Sequence, residues 1–141
     1  MQDFHPDCTI NILVSGQGRP AKLVWCCSLV LRSGQRLVTG ERLTGIAPRE
    51  QVEWQATLFG LEQATRLQQE KVMLASDLTL PGIHQTPASR LRDPALQLMR
   101  EDAENLWAGF RLRKTGRLDE KEAAHLREAA ADGFRRPRER N

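Results

Sequence analysis

The first third of the chain alternates between apolar runs and short polar breaks, a pattern typical of β-strands. Residues 9–14 are mostly β-branched and apolar, and they predict a strand that ends in the glycine- and proline-containing loop of residues 15–20. Two longer apolar runs, residues 22–31 and 36–43, are separated by Ser33-Gly34 and predict a β-hairpin. We expect these three strands to pair in chain order.

The apolar spacing becomes helical after Pro48. Residues 49–69 carry two apolar stripes and predict a helix with a wide buried face, in which Gly60 permits close packing. The apolar run of residues 71–76 predicts a strand parallel to the first, because a strand-helix-strand crossover returns the chain in the same direction.

The last third predicts two more helices with a short strand between them. Asp93-Pro94 is a typical helix start, with the aspartate as N-cap and the proline at the first helical position, and this helix ends at Gly109. Residues 110–113 predict a brief strand. Asp119 is a suitable N-cap for a last helix that ends at Ala131.

These elements predict an α/β protein with a mixed sheet. The two prolines and the glycine within residues 78–92 predict a loop with one helical turn rather than a regular element. Residues 135–141 form a basic tail without apolar periodicity, so the single domain is expected to cover residues 1–134.

Composition agrees with one globular domain. The chain has 141 residues, of which 40% are hydrophobic and 28% are charged, and this excludes disordered, collagen-like and membrane classes. The three cysteines lack C-x-x-C spacing and indicate neither a disulfide framework nor a thiolate zinc site. With no apolar run of about 18 residues and no signal-peptide pattern at the start, we predict a cytoplasmic protein without a membrane partner.

The basic residues are concentrated near the C-terminal end. The formal net charge is +3, but residues 1–109 carry 11 Lys and Arg against 12 Asp and Glu, whereas residues 110–141 carry 10 against 6. This asymmetry favours attraction to nucleic acid or another anionic surface, and it is too small to establish either.

Four segments, in the same order and spacing, resemble the ribonuclease H family. Residues 52–64 resemble its central helix with Gly-Leu-Glu-x-Ala, and residues 72–77 resemble its strand that ends in Ser-Asp. Residues 91–96 resemble its Arg-Asp-Pro helix start, and residues 120–126 resemble its closing Glu-Ala-Asp helix. The resemblance spans roughly residues 10–131. It implies a ribonuclease H-like fold, with three antiparallel strands and then parallel strands in a five-stranded mixed sheet flanked by helices.

The resemblance also implies a reaction and the groups that catalyse it. Members of the family hydrolyse the RNA strand of an RNA–DNA hybrid by attack of water between two magnesium ions. Two hard cations close together need several carboxylate ligands at one point, and the family supplies four.

This chain keeps two of the four acids. Glu53 and Asp77 stand at family positions that are acidic, whereas Ser15 and Ala124 stand where the family has aspartate. We predict that Glu53 and Asp77 can hold at most one Mg²⁺ or Mn²⁺ ion once a phosphate contributes. The histidine that the family uses near product release falls near Lys114, which does not titrate at neutral pH.

Alternative interpretations of these acids remain open. Glu53 also suits the first turn of a helix on electrostatic grounds, and Asp77 also suits a turn after a strand. A shift of the last helix would bring Asp119, Glu120 or Glu122 to the fourth acidic position.

Nucleic-acid binding is the family property least dependent on the lost acids, since hybrids are recognised by shape, 2′-hydroxyls and phosphates. The tryptophans, at positions 25, 54 and 107, lie on apolar faces and predict core packing rather than base stacking. Seven polar residues lie where family contacts are expected, with solvated surface charge as the alternative: Arg19, Lys22, Arg49, Gln51, Arg113, Lys114 and Arg117.

The sequence therefore predicts a ribonuclease H-like protein that binds an RNA–DNA hybrid or another duplex and has little or no hydrolytic activity. One alternative is an active magnesium-dependent ribonuclease H that uses a substitute acid such as Asp119. A further alternative is a protein-interaction scaffold, with an edge strand or the arginine-rich tail as the contact.

Overall fold

The computed structural model describes residues 5–17, 22–42, 49–76 and 94–132. The predicted loop of residues 78–92, the N-cap Asp93 and the tail of residues 135–141 lie outside the described residues, and so does the domain boundary after residue 134.

The described elements alternate as the sequence predicts. In chain order they are β1 (Cys8–Gln17), β2 (Lys22–Leu31), β3 (Arg36–Arg42), α1 (Arg49–Arg66), β4 (Lys71–Ser76), α2 (Pro94–Ala108), β5 (Leu112–Gly116) and α3 (Glu120–Asp132). The five strands form one sheet in the order β3-β2-β1-β4-β5. The first three strands pair antiparallel, and β4 and β5 join in parallel, which confirms the predicted mixed sheet.

Several element boundaries differ from the prediction, and three of the differences have a clear physical reason. β1 continues past Val14 to Gln17, because the residues after Val14 pair with the start of β2 despite their glycine. α1 ends at Arg66 rather than Gln69, where the chain turns through the positive φ of Gln68. β5 begins at Leu112, later than predicted, because its position is set by parallel pairing with β4.

The turn between β2 and β3 uses Gly34 in a left-handed conformation, with φ of 97°. The Gly34 N–H donates to the Leu31 carbonyl at 2.8 Å, and the Leu31 N–H donates to the Gln35 carbonyl at 2.9 Å. Glycine adopts this conformation without steric cost, so the turn fixes the register of the hairpin.

Helices α1 and α2 cover one face of the sheet. Alternate residues of β1, including Ile10 and Ile12, point into this core, and α1 crosses them at Gly60. A Cβ at Gly60 would lie 2.6 Å from Ile10 Cγ2 and 3.2 Å from Cys27 Sγ. The glycine therefore permits close packing, as predicted, and the tryptophans at positions 25, 54 and 107 are buried in the same core.

Helix α3 covers the opposite face over a smaller core. Its buried residues Ala123, Leu126 and Ala130 are the ones that the helical spacing predicts, and they pack with Val24 and Cys26 of β2. The Cys26 thiol donates to the Leu126 carbonyl at 3.4 Å. Burial raises the pKa of Cys26 to about 12, which agrees with a structural rather than a reactive thiol.

Helix α2 differs from its predicted apolar stripe. The buried positions are Leu96, Arg100, Ala103 and Trp107, so a cation occupies the centre of the stripe. The Arg100 guanidinium lies 4.9 Å from the ring centroid of Trp54 in α1 and contacts Glu104 at 2.9 Å. Stacking on an aromatic face and an ion pair together offset the burial of this charge. Among the described residues, no helix is long and apolar enough to cross a membrane.

The contact at Gly60 gives a test of the packing. In Gly60→Ala the intrinsic gain of about 1 kcal/mol for helix formation is outweighed by overpacking, which costs about 1–3 kcal/mol, because the branched Ile10 side chain is stiff. We expect the free energy of unfolding in urea to fall by about 1 kcal/mol. Glu62→Ala, on the exposed side of α1, is the control and should not destabilise the protein. Equal or higher stability of Gly60→Ala would contradict the close contact.

Candidate acid site and nucleic-acid interface

Helix α1 buries Glu53 almost completely. Glu53 is only 1% exposed, and its neighbours Val52 and Trp54 are buried as well. The buried Thr57 hydroxyl donates to the Glu53 carbonyl at 2.9 Å, one turn further along the helix. A carboxyl group at this depth differs from a solvated charge at a helix terminus, which was the alternative interpretation from the sequence.

Ser15 lies on the other face of the sheet from α1. Side chains alternate along β1, so Ser15 shares the α3 face with Leu13 and Asn11, and it is half-buried. β4 runs parallel to β1 and ends at Ser76, in register with Ile12. Asp77 lies outside the described residues.

Ala124 is exposed on α3, beside the buried stripe of that helix. Neither Ser15 nor Ala124 offers a carboxylate. Ser15 is a neutral hydroxyl, and the methyl group of Ala124 has no ligand atom.

The acid on α3 that turns inward is Glu122, and its carboxylate is paired with an arginine. The Arg36 guanidinium of β3 donates two hydrogen bonds to the two Glu122 oxygens, at 2.7 and 2.8 Å. The Ser28 hydroxyl of β2 donates to Glu122 Oε2 at 2.6 Å, and the Asn11 amide of β1 donates to Ser28 Oγ at 3.2 Å. We call Asn11, Ser28, Arg36 and Glu122 the Glu122 cluster; it ties α3 to three strands.

The surroundings of Glu122 favour its charged form. Burial alone would raise the pKa of this carboxyl, but hydrogen bonds from Arg36 and Ser28, together with the charge of Arg36 and a smaller effect of His125, lower it below the ordinary value. The same hydrogen bond raises the pKa of Arg36. The Glu122 carboxylate thus has partners for both oxygens, as in strong bidentate arginine pairs.

The other substitute acids on α3 differ in their surroundings. Asp119 Oδ2 accepts from the backbone N–H groups of Lys121 and Glu122 at 3.0 and 3.2 Å, which confirms it as the N-cap of α3. Glu120 is exposed in the first turn, whereas Glu122 is half-buried. The helix lies in the register that the sequence predicts, so Glu122 is the acid of its first turn that faces the sheet.

The ligand atoms of the described side chains do not make up a site for two divalent cations. Within residues 5–17, 22–42, 49–76 and 94–132, no three side chains of His, Cys, Asp or Glu come together as metal ligands. Ser15 and Ala124 supply no anionic oxygen, and both oxygens of Glu122 already accept hydrogen bonds from Arg36 or Ser28. Magnesium needs anionic ligands in near-octahedral geometry, so these side chains alone are insufficient.

The basic residues predicted to contact nucleic acid divide between the two faces of the sheet. Arg113 is in register with Val72, which points into the α1 core, and its Nη1 donates to the Phe110 carbonyl at 3.2 Å. Lys114 is the next residue and therefore points to the α3 face, which is also the face of Ser15. Arg113, Lys114 and Arg117 are all exposed.

The other predicted nucleic-acid contacts lie on or near β2 and α1. Gln51 is half-buried near the start of α1. Arg19 lies outside the described residues. Lys22 begins β2 and Arg49 begins α1, and their side chains are outside the described part of the structure.

The sequence predictions did not include the Glu122 cluster or the buried Arg100, although each left a signal. Asn11 and Ser28 interrupt the apolar strands β1 and β2, and the antiparallel register of these two strands places them opposite each other. Arg100 lies four residues after Leu96 and three before Ala103, within the apolar period of α2. Polar residues at apolar positions of this kind indicate buried polar contacts.

Several solved structures of ribonucleases H are similar to this chain. RNase H1 from the halophilic archaeon Halobacterium salinarum NRC-1 matches with a TM-score of 0.66 and 21% identity, over 89% of this chain and 97% of that chain. The N-terminal RNase H domain of a Mycobacterium tuberculosis protein, solved as a fusion with maltose-binding protein, matches with a TM-score of 0.68 and 15% identity, over 93% and 95%. LC11-RNase H1 in complex with an RNA/DNA hybrid matches with a TM-score of 0.68 and 12% identity, over 92% and 97%.

No protein-family model and no curated protein sequence matches the chain. The structural matches nonetheless cover nearly the full length of both chains in each comparison. The protein therefore has the ribonuclease H-like fold, which confirms the fold that the four sequence segments predict.

The Glu122 cluster gives a prediction for the pH dependence of stability. The pKa of Glu122 is lower in the folded protein than in the unfolded chain. The contribution of Glu122 to the free energy of unfolding is therefore complete above the pKa of an unfolded glutamate, about 4.3, and is lost as the pH falls through the pKa of the folded state. Glu122→Gln should lower the free energy of unfolding at neutral pH by about 1–2 kcal/mol, since Arg36 is partly exposed.

The same variant should also flatten the acid limb of the stability curve below pH about 5. Glu120→Gln, an exposed acid in the same turn, is the matched control and should leave both values near those of the wild type. An unchanged acid limb in Glu122→Gln would show that the pair with Arg36 does not contribute to stability.

Proposed function

We propose that this protein binds RNA–DNA hybrids or related duplexes through a ribonuclease H-like surface and has little or no hydrolytic activity. The observation that carries the proposal is the substitution of two family acids by Ser15 and Ala124, on a chain that keeps the family's fold. The proposal places the protein in the cytoplasm.

The loss of hydrolysis follows from charge. Hydrolysis between two cations needs several carboxylates that converge on them, and each missing acid weakens both cation sites together. The nearest inward acid on α3, Glu122, is engaged by Arg36 and Ser28, so its use as a ligand would break three hydrogen bonds. The residues present therefore favour a surface that holds nucleic acid without activating water.

The retention of binding also follows from charge. Two fewer carboxylates reduce repulsion between the site and phosphates, so bound cations are less necessary to screen it. Lys114 lies on the same face of the sheet as Ser15, and Arg117 follows β5. The solved LC11-RNase H1 structure contains an RNA/DNA hybrid, which supports the assignment of this ligand class to the shared fold.

The first test separates binding from cleavage. We expect a labelled RNA–DNA hybrid to bind with equal affinity in EDTA and in Mg²⁺ or Mn²⁺, and to remain uncleaved in each, because the site lacks the acids for two cations. Fluorescence anisotropy measures binding, and a denaturing gel measures cleavage.

Two variants make this test decisive. Ser15→Asp together with Ala124→Asp restores the family acids and should increase Mn²⁺ binding, measured by electron paramagnetic resonance on the protein alone. Glu53→Gln removes the retained acid and should not change the hybrid affinity of the wild type. Robust turnover by the wild type that is abolished by Glu53→Gln would overturn the proposal in favour of an active nuclease.

The second test locates the phosphate contacts. Lys114→Gln and Arg117→Gln should each weaken hybrid binding and lower the slope of log affinity against log salt by about 0.9 for each phosphate that the variant no longer neutralises. Arg113→Gln, one residue away on the opposite face, is the matched control and should change the slope less. Equal slopes for all three variants would place the nucleic acid elsewhere on the protein.

A further inference from the structure

The two edges of the sheet are protected differently. β5, at one edge, is exposed along its whole length and carries Arg113 and Lys114, charges that discourage pairing with another strand. β3, at the other edge, has Leu37 and Val38 at its centre, which are 39% and 42% exposed. Among the described residues, no strand pairs with the outer side of β3.

The hydrogen-bond pattern of the hairpin identifies the outward backbone groups of β3. The Leu31 N–H donates to the Gln35 carbonyl, so residues 31 and 35 face each other as a hydrogen-bonded pair. Hydrogen-bonded and non-hydrogen-bonded pairs alternate along an antiparallel ladder. The N–H and C=O groups of Arg36, Val38 and Gly40 therefore point away from β2, at the outer edge of the sheet.

The charge at the start of β3 is drawn away from this edge. Arg36 is the first residue of β3, and its guanidinium is held by Glu122 through two hydrogen bonds on the α3 face. A charged side chain that folds back onto a helix does not guard the neighbouring strand edge as an extended lysine or arginine does. The other charged residues of β3, Glu41 and Arg42, are at its far end, so the four residues from Leu37 to Gly40 form an uncharged, open stretch.

A second copy of the same strand fits this edge with a twofold axis at Val38. A twofold axis at Val38 places Val38 against the partner's Val38 and Leu37 against the partner's Thr39. It also places Arg36 against the partner's Gly40, which has no side chain to displace the Arg36–Glu122 pair. A twofold axis at Thr39 would instead place Arg36 against the partner's Arg42, a long residue where Gly40 leaves room for the Arg36–Glu122 pair.

We propose that the protein forms a homodimer through antiparallel pairing of β3 with the β3 of a second copy, with the twofold axis at Val38. The pairing joins two five-stranded sheets into one continuous sheet. It is independent of the proposed nucleic-acid surface, since Lys114 and β5 lie at the far edge of each sheet.

Analytical ultracentrifugation of the full chain tests the proposal. The wild type should sediment as a concentration-dependent dimer, and Val38→Arg should weaken dimerisation by about a hundredfold or more, because two like charges meet at the axis. Thr115→Arg, an exposed position on β5, is the matched control and should remain dimeric. Circular dichroism confirms that each variant is folded. A monomeric wild type, or a dimer that Val38→Arg leaves intact, would overturn the proposal.

Disulfide trapping tests the register separately. In Val38→Cys the paired Cα atoms would lie about 5.5 Å apart, within disulfide range, whereas in Thr39→Cys each thiol would face the partner's Leu37. The native cysteines are all buried, so they contribute little background. We expect a covalent dimer from Val38→Cys and none from Thr39→Cys. The reverse result would overturn the proposed register, and no covalent dimer from either variant would overturn the edge pairing.

Discussion

The close approach of α1 to the sheet at Gly60 is the constraint on which the rest of the architecture depends. The helix lies so near to β1 and β2 that Ile10 and Cys27 occupy the space that a larger residue would need. This contact sets the height of α1 above the sheet. It also sets the depth of Glu53, which lies two turns earlier on the same helix and is almost fully buried. The packing of an apolar core thus determines how deeply the Glu53 carboxyl group is buried.

The opposite face of the sheet depends on a polar contact instead. The core under α3 is small and consists largely of alanine, leucine and valine, so the Glu122 cluster supplies specific attachment that apolar area alone does not. Removing one partner of such an ion pair leaves the other charge without compensation, so the pair favours the one arrangement of α3 in which both partners meet. On this face, an ion pair at the start of a helix therefore helps to hold the ribonuclease H-like fold together.

The sequence was sufficient to predict the element order, the mixed sheet and the buried stripe of α3, because these depend on local periodicity and on crossover handedness. Boundaries such as the end of β1 at Gln17 depend on pairing with β2, which local residue preferences do not encode. The burial of Arg100 depends on the ring of Trp54 in another helix. For the candidate acid site, the absence of two family acids stays a prediction from the sequence, and the pairing of Glu122 could not be predicted because it brings together residues from three strands.

Glu122 links the chemistry of the site to the shape of the surface. A carboxylate on the inner side of α3 could serve either as a ligand for a cation or as a partner for a protein cation, and here Arg36 takes it. One consequence is that the face of Ser15 and Lys114 loses a potential metal ligand. The other is that β3 loses the protection of one charge at the start of its edge. Because Arg36 and Glu122 are paired with each other, neither side chain is available for the second role, so one bidentate pair connects the proposed loss of catalysis with the proposed pairing of β3.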